Sequence, residues 1–205
     1  MKLGILGGTF DPIHTGHLII AQEAASRLAL DEVWFIPTGQ PWLKSGNRIS
    51  PSRHRLEMVR RAIRCNPGFK ASAIEVDRPG PSYTVDTLVA LRERDAKGDD
   101  LFFILGMDSL ETLHRWHQPK HLFELCTLVG VSRPEHRDFD LDSLDRIRSG
   151  ASREVTIVDG PNIGISGAEI RRRISRGLPI TYWVPSAIEK YIHENRLYQE
   201  AESER

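Results

Sequence analysis

The chain has 205 residues, which at roughly 150 residues per domain bounds it to one domain with at most a small appendage. Its 40% hydrophobic and 27% charged content excludes the disordered and collagen-like classes. The 28 basic and 28 acidic residues cancel, so the field of the whole molecule points to neither nucleic acid nor a membrane surface as partner, and any polyanionic ligand must be met by locally placed charge.

Residues 3–6 are a short apolar run stopped by Gly7-Gly8, which suits a buried strand. Residues 18–30 carry Leu18, Ala21, Ala25 and Leu28 on one stripe, the spacing of a helix. A strand over 33–36 ends at Pro37. Ser50-Pro51 reads as an N-cap followed by proline at the first helical position, opening a helix through about residue 64. Residues 69–76 alternate like a strand, 84–94 return to helical spacing, 101–105 are a strand and 108–116 a helix. Strands over 127–131 and 155–158 follow, then helices over 167–176 and 185–195. Residues 40–47 and 135–152 are polar and read as surface loops. The alternation predicts an α/β fold: a doubly wound, Rossmann-like parallel sheet with helices on both faces and a small C-terminal helical part. One domain spans residues 1–198, and the charged tail 199–205 is expected to fray.

The apolar run at the N-terminus is too short for a signal peptide. The longest apolar stretch, 125–131, falls short of the roughly 20 residues that a membrane span needs. The expectation is a soluble, cytoplasmic chain. Cys65 and Cys126 lie in apolar surroundings and are expected to be buried free thiols in a reducing compartment, with no disulfide framework or cysteine metal site.

Doubly wound folds bind ligands at the carboxyl ends of the strands, where the strand order reverses. The segment leaving the first strand, Gly7-Gly8-Thr9-Phe10-Asp11-Pro12-Ile13-His14-Thr15-Gly16-His17, is therefore the place to look for chemistry. Adjacent glycines let backbone approach a ligand and turn N–H groups toward phosphate oxygens. A helix starting near Gly16 sets its positive end and His17 beside the same spot. His14 and His17, three apart across that start, can converge on one anionic group. A tight turn alone would also explain the glycines. A zinc site would need a third His or Cys, and none lies nearby. Neither the dinucleotide fingerprint nor the Walker A loop is present.

As a unit, Gly8-Thr9-Phe10-Asp11, His14 and Gly16-His17 match every fixed position of G-(S/T)-F-D-x-x-H-x-G-H, and the segment resembles the signature of the nucleotidylyltransferase superfamily. Ile165-Ser166-Gly167-Ala168-Glu169-Ile170-Arg171 resembles its second signature, I-S-(S/T)-T-x-(I/L)-R, with Gly167 and Ala168 replacing two hydroxyl residues. Ser166 and Glu169 also satisfy a capping box, and a capped helix start is compatible with an anion site. Pro81-Ser82-Tyr83-Thr84-Val85-Asp86-Thr87-Leu88 and Ile104-Leu105-Gly106-Met107-Asp108-Ser109-Leu110, with Trp116 beyond, resemble segments of the bacterial nicotinate-nucleotide adenylyltransferases. His54-Arg55-Leu56-Glu57-Met58 and Val131-Ser132-Arg133-Pro134 are similar as well. That family often has Pro-Pro-His-Lys where this chain reads Pro41-Trp42-Leu43-Lys44, so only the lysine's role carries over.

The resemblance implies a set of roles. Gly8, Thr9, Phe10, His14 and His17 would lie along ATP, with Ile165, Ser166 and Arg171 at its phosphates and Gly106 and Asp108 near the adenosine. Thr84, Trp116 and Arg133 would surround the pyridine ring of nicotinate mononucleotide. His17, His14, Lys44 and Arg171 would carry the catalysis, and Mg²⁺ would be held mainly by ATP phosphates rather than by a protein metal site. The other readings are plainer: Trp116 as core, Asp108 as a helix N-cap with Glu111 at the third position, and two of Arg171-Arg172-Arg173 as solvated surface. Rival functions are a nicotinamide-mononucleotide or phosphopantetheine adenylyltransferase and a non-catalytic ATP-sensing module. The expected partners are the two substrates, with no nucleic acid and no membrane, and a homodimer is left open.

Overall fold

A computed structural model describes residues 1–42, 49–132, 140–161 and 163–199. Six strands form its one sheet: β1 (Lys2–Gly8), β2 (Glu32–Pro37), β3 (Phe69–Ala71), β4 (Asp100–Gly106), β5 (Thr127–Ser132) and β6 (Thr156–Asp159). Their order is β3-β2-β1-β4-β5-β6 and every neighbouring pair is parallel. The chain thus starts at the centre, winds outward to β3, and returns to wind the other way from β4. β1 and β4, paired from Lys2↔Asp100 to Leu6↔Ile104, flank the point of reversal.

The period of two along each strand divides the core. Leu3, Ile5, Phe103, Leu105 and Leu128 face one apolar cluster, and Leu6, Phe35, Ile104, Val129 and Val131 face the other. Helices α1 (Thr15–Leu28), α2 (Ser52–Ile63), α7 (Gly167–Ser175) and α8 (Ser186–Glu194) cover the second face through Ala21, Ala24, Met58, Ile170 and Ile188. Helices α3 (Thr84–Ala90), α4 (Met107–Glu111), α5 (Pro119–Leu125) and α6 (Ala151–Glu154) cover the first through Val85, Leu88, Leu110, Leu122 and Ala151. Each fully buried large side chain on these faces stabilises by about 1.5–3 kcal/mol. The C-terminal helices are part of this layer, since Ile188 and Ile192 share a core with Phe35 and Met58.

Several elements depart from the pattern reading. The strand expected over 69–76 stops at Ala71, because β3 is an edge strand; the chain then turns, with Asp77 N–H bonded to the Ala73 carbonyl, and carries Glu75 inward. The expected loop 135–152 contains, among its described residues, a 3₁₀ turn over Leu141–Arg146 and α6, since Leu144, Ile147 and Ala151 are buried between charged neighbours. The helix expected over 84–94 ends as a π turn, Leu91–Asp95, and the one over 108–116 breaks into a 3₁₀ turn at Leu113–Arg115. Ser50 does not cap α2: Pro51 takes that place, and the Ser50 N–H is drawn instead to the Asp11 carboxylate at 3.2 Å. Both cysteines are free, but Cys65 is exposed at the end of α2 rather than buried, while burial pushes the Cys126 thiol up to about 12. Among the described residues no helix is long and apolar enough to cross a membrane.

Candidate active site

β1 ends at Gly8 with its backbone aligned on Pro37 of β2, and the next six residues cross the carboxyl edge of the sheet before α1 begins. Phe10 anchors this loop. It adopts the left-handed region (φ 50°), which a bulky residue enters only when its surroundings hold it there, and it is buried against Phe35 and edge-on to His17, with centroids 5.0 Å apart. His14 is the N-cap of α1, and no acidic residue stands in the first turn, so the positive end of a 14-residue helix faces the sheet edge unscreened.

The two histidines stack, centroids 3.6 Å apart. The backbone N–H of His14 donates to Nδ1 of His17 at 3.2 Å. A nitrogen that accepts carries no proton, so the neutral His17 ring holds its hydrogen on Nε2 and is a fixed donor there. Buried Arg55 of α2 supports the loop from below, donating to the carbonyls of Thr9 (2.7 Å), Ser50 (2.9 Å) and Gly39 (3.1 Å). Burial lowers its guanidinium from the ordinary value, and the nearby Asp11 works the other way.

A second buried network sits on the far side. Glu75 accepts from the Thr87 hydroxyl at 2.7 Å, Arg78 donates to the same hydroxyl at 2.8 Å, and the Ser82 hydroxyl accepts from the N–H groups of Gly39 and Gln40. Burial raises the Glu75 carboxyl above its usual range, opposed by its hydrogen bonds and by Arg78. Only glycine fits at 39, because a Cβ there would lie 2.1 Å from the Glu75 carbonyl oxygen. Above this network Tyr83 packs between Trp42 and His117, with ring centroids 5.6 and 4.3 Å away, and Trp116 meets Phe103 edge-on at 6.2 Å.

Both sides open onto one cleft of about 960 Å³ over the β1/β4 reversal. Of the residues singled out in the sequence, Gly8, Thr9, Phe10, His14, His17, Thr84, Gly106, Asp108, Trp116, Ile165, Ser166 and Arg171 all line it. Lys44 and Arg133 lie outside the described residues. Asp108 is not a cap: Gly106 occupies that position in α4 and the Asp108 side chain is exposed at the cleft. Trp116 is half-buried on the wall rather than enclosed in core. Ser166 caps α7 by accepting from the Glu169 N–H at 3.2 Å, but the Glu169 carboxylate turns to Arg172, so the reciprocal half of the capping box is replaced by an ion pair. Arg173 lies over the Trp183 ring, which leaves Arg171 as the member of the triplet on the cleft.

Pattern reading did not assign Arg55, Glu75, Ser82 or His117. Arg55 shares a helical stripe with Met58 and Val59, but a guanidinium there reads as surface by its charge, and its burial follows from three carbonyls that only the folded chain brings together. Comparison with known proteins follows the same outline. The cytidylyltransferase-like family model matches residues 5–173. A probable nicotinate-nucleotide adenylyltransferase of Dehalococcoides mccartyi (strain CBDB1) is 46% identical over 198 residues, covering 97% of each chain. One of Bacillus pumilus is 40% identical, covering 97% of this chain and 98% of its own. The solved structure of Plasmodium falciparum nicotinic acid mononucleotide adenylyltransferase complexed with NaAD superposes with a TM-score of 0.78 at 20% identity, covering 96% and 97% of the two chains, a likeness of fold.

Proposed function

The chain belongs to the nicotinate-nucleotide adenylyltransferase family, within the cytidylyltransferase-like group, and from that membership and its cleft we propose that it transfers the adenylyl group of ATP to nicotinate mononucleotide. The products are nicotinate adenine dinucleotide and pyrophosphate, a step of NAD biosynthesis. The observation that carries the proposal is His17: its Nδ1 is committed to the His14 N–H, so its Nε2–H is a preset donor at the positive end of α1, over the sheet's reversal point.

An acceptor phosphate is ionised at neutral pH, so the reaction needs no general base. One of its oxygens attacks the α-phosphorus in line, and the bond from that phosphorus to the α,β-bridging oxygen breaks as pyrophosphate leaves. Two polyanions must meet, so positioning and charge stabilisation carry the rate. His17 donates to the α-phosphoryl oxygens, and His14, Arg171 and Lys44 offset the charge that builds on the departing pyrophosphate. In this reading Ile165 and Ser166 serve the phosphates, Gly106 and Asp108 the adenosine, and Thr84 and Trp116 the pyridine, a role that the sequence resemblance extends to Arg133. Among the described residues no group of three His, Cys, Asp or Glu is placed to hold a metal. A Mg²⁺ ion would be held mainly by the triphosphate oxygens and would supply neutralising charge there.

The test is pyrophosphate release with ATP and a panel of acceptors: nicotinate mononucleotide, nicotinamide mononucleotide and phosphopantetheine. The acid and amide nucleotides differ only in carboxylate against carboxamide. α3 starts at Thr84 without a side-chain cap, and its backbone N–H groups supply donors without acceptors. A carboxamide there would turn its NH₂ toward donors and leave buried groups unpaired, at about 1–3 kcal/mol each. kcat/KM for the acid is therefore expected to exceed that for the amide by at least about 100-fold. Equal use of the two, or preference for the amide, would overturn the substrate assignment.

A further inference from the structure

The C-terminal end of the chain returns to the nucleotide loop. Tyr198, four residues beyond α8 and in the left-handed region (φ 63°), donates its hydroxyl to Asp11 Oδ1 at 2.6 Å. Asp11 is buried, its Oδ2 accepts the Ser50 N–H, and its backbone carbonyl accepts from Arg171 Nη1 at 2.6 Å. One aspartate thus joins four segments: the loop after β1, the residue that leads into α2, the first turns of α7 and the C-terminal end. α7 packs closely beside this bond: a Cβ at Gly167 would stand 3.0 Å from the Asp11 carbonyl oxygen and 3.4 Å from Arg171 Nη1. Burial, and next the Asp11 carboxylate, push the Tyr198 phenol well above its ordinary range, so it remains a donor throughout the working pH range.

We propose that Tyr198 is a positioning residue for the nucleotide site: its hydroxyl sets the orientation of Asp11, and the Asp11 carbonyl holds one nitrogen of Arg171 so that the remaining N–H groups face the triphosphate. The inference rests on the reading of Arg171 as a phosphate contact. It assigns a function to the end of a chain whose neighbouring residues, by composition, are expected to be an uncommitted tail.

Tyr198→Phe removes the hydroxyl and little else. A non-hydrolysable ATP analogue with a methylene bridge between the α- and β-phosphates, titrated by calorimetry, reads nucleotide binding without any acceptor. Tyr198→Phe is expected to weaken the analogue and raise KM for ATP by about tenfold, the scale of one hydrogen bond to a charged group, while KM for nicotinate mononucleotide stays at the wild-type value. In an Arg171→Ala background the same substitution should change analogue affinity by less than about twofold, because the group it positions is gone. Wild-type affinity in Tyr198→Phe overturns the proposal, as does an undiminished effect in the Arg171→Ala background or a loss shared equally by both substrates. If Arg171→Ala alone binds the analogue like wild type, the reading of Arg171 falls, and the proposal falls with it for that separate reason. Should Tyr198→Phe not fold, Asp11→Asn tests the clasp from the other side. Its carboxamide oxygen can accept only one of the two donors now shared, so the same ATP-side loss is expected, and unchanged nucleotide affinity overturns the proposal.

Discussion

A histidine contributes to phosphoryl chemistry in proportion to how firmly its proton is placed. At His17 the placement is made by backbone: the His14 N–H occupies Nδ1, the His14 ring stacks on one face and Phe10 meets it edge-on. All of these contacts are made by the protein's own groups, and a donor held in this way is preorganised, the condition under which an electrostatic contact lowers the barrier most. His17→Ala is accordingly expected to lower kcat on the order of 100-fold or more and to change ATP affinity much less, since the donor acts mainly as charge develops on the reacting phosphoryl group. Single-turnover rates with saturating ATP check this. A folded His17→Ala protein with near-normal turnover would remove His17 from the reaction.

At the scale of elements, α2 matters to the site through one residue. Arg55 takes three carbonyls from three segments, Thr9 after β1, Gly39 after β2 and Ser50 ahead of its own helix, and so fixes where the two crossing loops meet. Arg55→Ala strands these carbonyls, each costing about 1–3 kcal/mol if left unsatisfied. At roughly 2–4 °C per kcal/mol for a chain of this size, the unfolding midpoint should fall by about 6 °C or more, and Arg55→Lys should recover only part of it. A midpoint within a degree of wild type would show that water replaces the guanidinium freely. Arg55 also marks the limit of what pattern reveals. The strands and most helices were legible because alternation and the 3.6-residue period report burial directly, and the signature after β1 placed the cleft. The Glu75 turn, the α6 region and the Arg55 anchor were not legible, because each depends on partners distant in sequence. Leu144 and Ile147 in a charged stretch read as loop until a second core exists to receive them.

For the molecule as a whole, the two faces of the sheet meet at the cleft through unlike materials: an aromatic and histidine-lined wall over α1, and a buried polar network over α3. The second carries a cost that pH can reveal. Glu75 is buried, and burial outweighs its bonds to Thr87 and Ser82 and its attraction to Arg78, so its carboxyl in the folded protein sits above the ordinary value of 4.5. A carboxyl raised on folding favours the folded state when it is protonated. Its contribution is therefore fully present below the unfolded value and is lost as pH rises through the folded one. Glu75→Gln keeps the shape and an acceptor oxygen for Thr87 but cannot ionise. The difference in unfolding midpoint, variant minus wild type, is then expected to increase from pH 4.5 toward neutrality and to level off once the wild-type carboxyl is fully ionised. Other titrating groups are common to both proteins and drop out of that difference. A difference that is flat with pH, or that moves in favour of the wild type as pH rises, would mean that Arg78 and the hydroxyls compensate the buried charge fully, and that the α3 side of the cleft holds an ionised carboxylate at no cost to the fold.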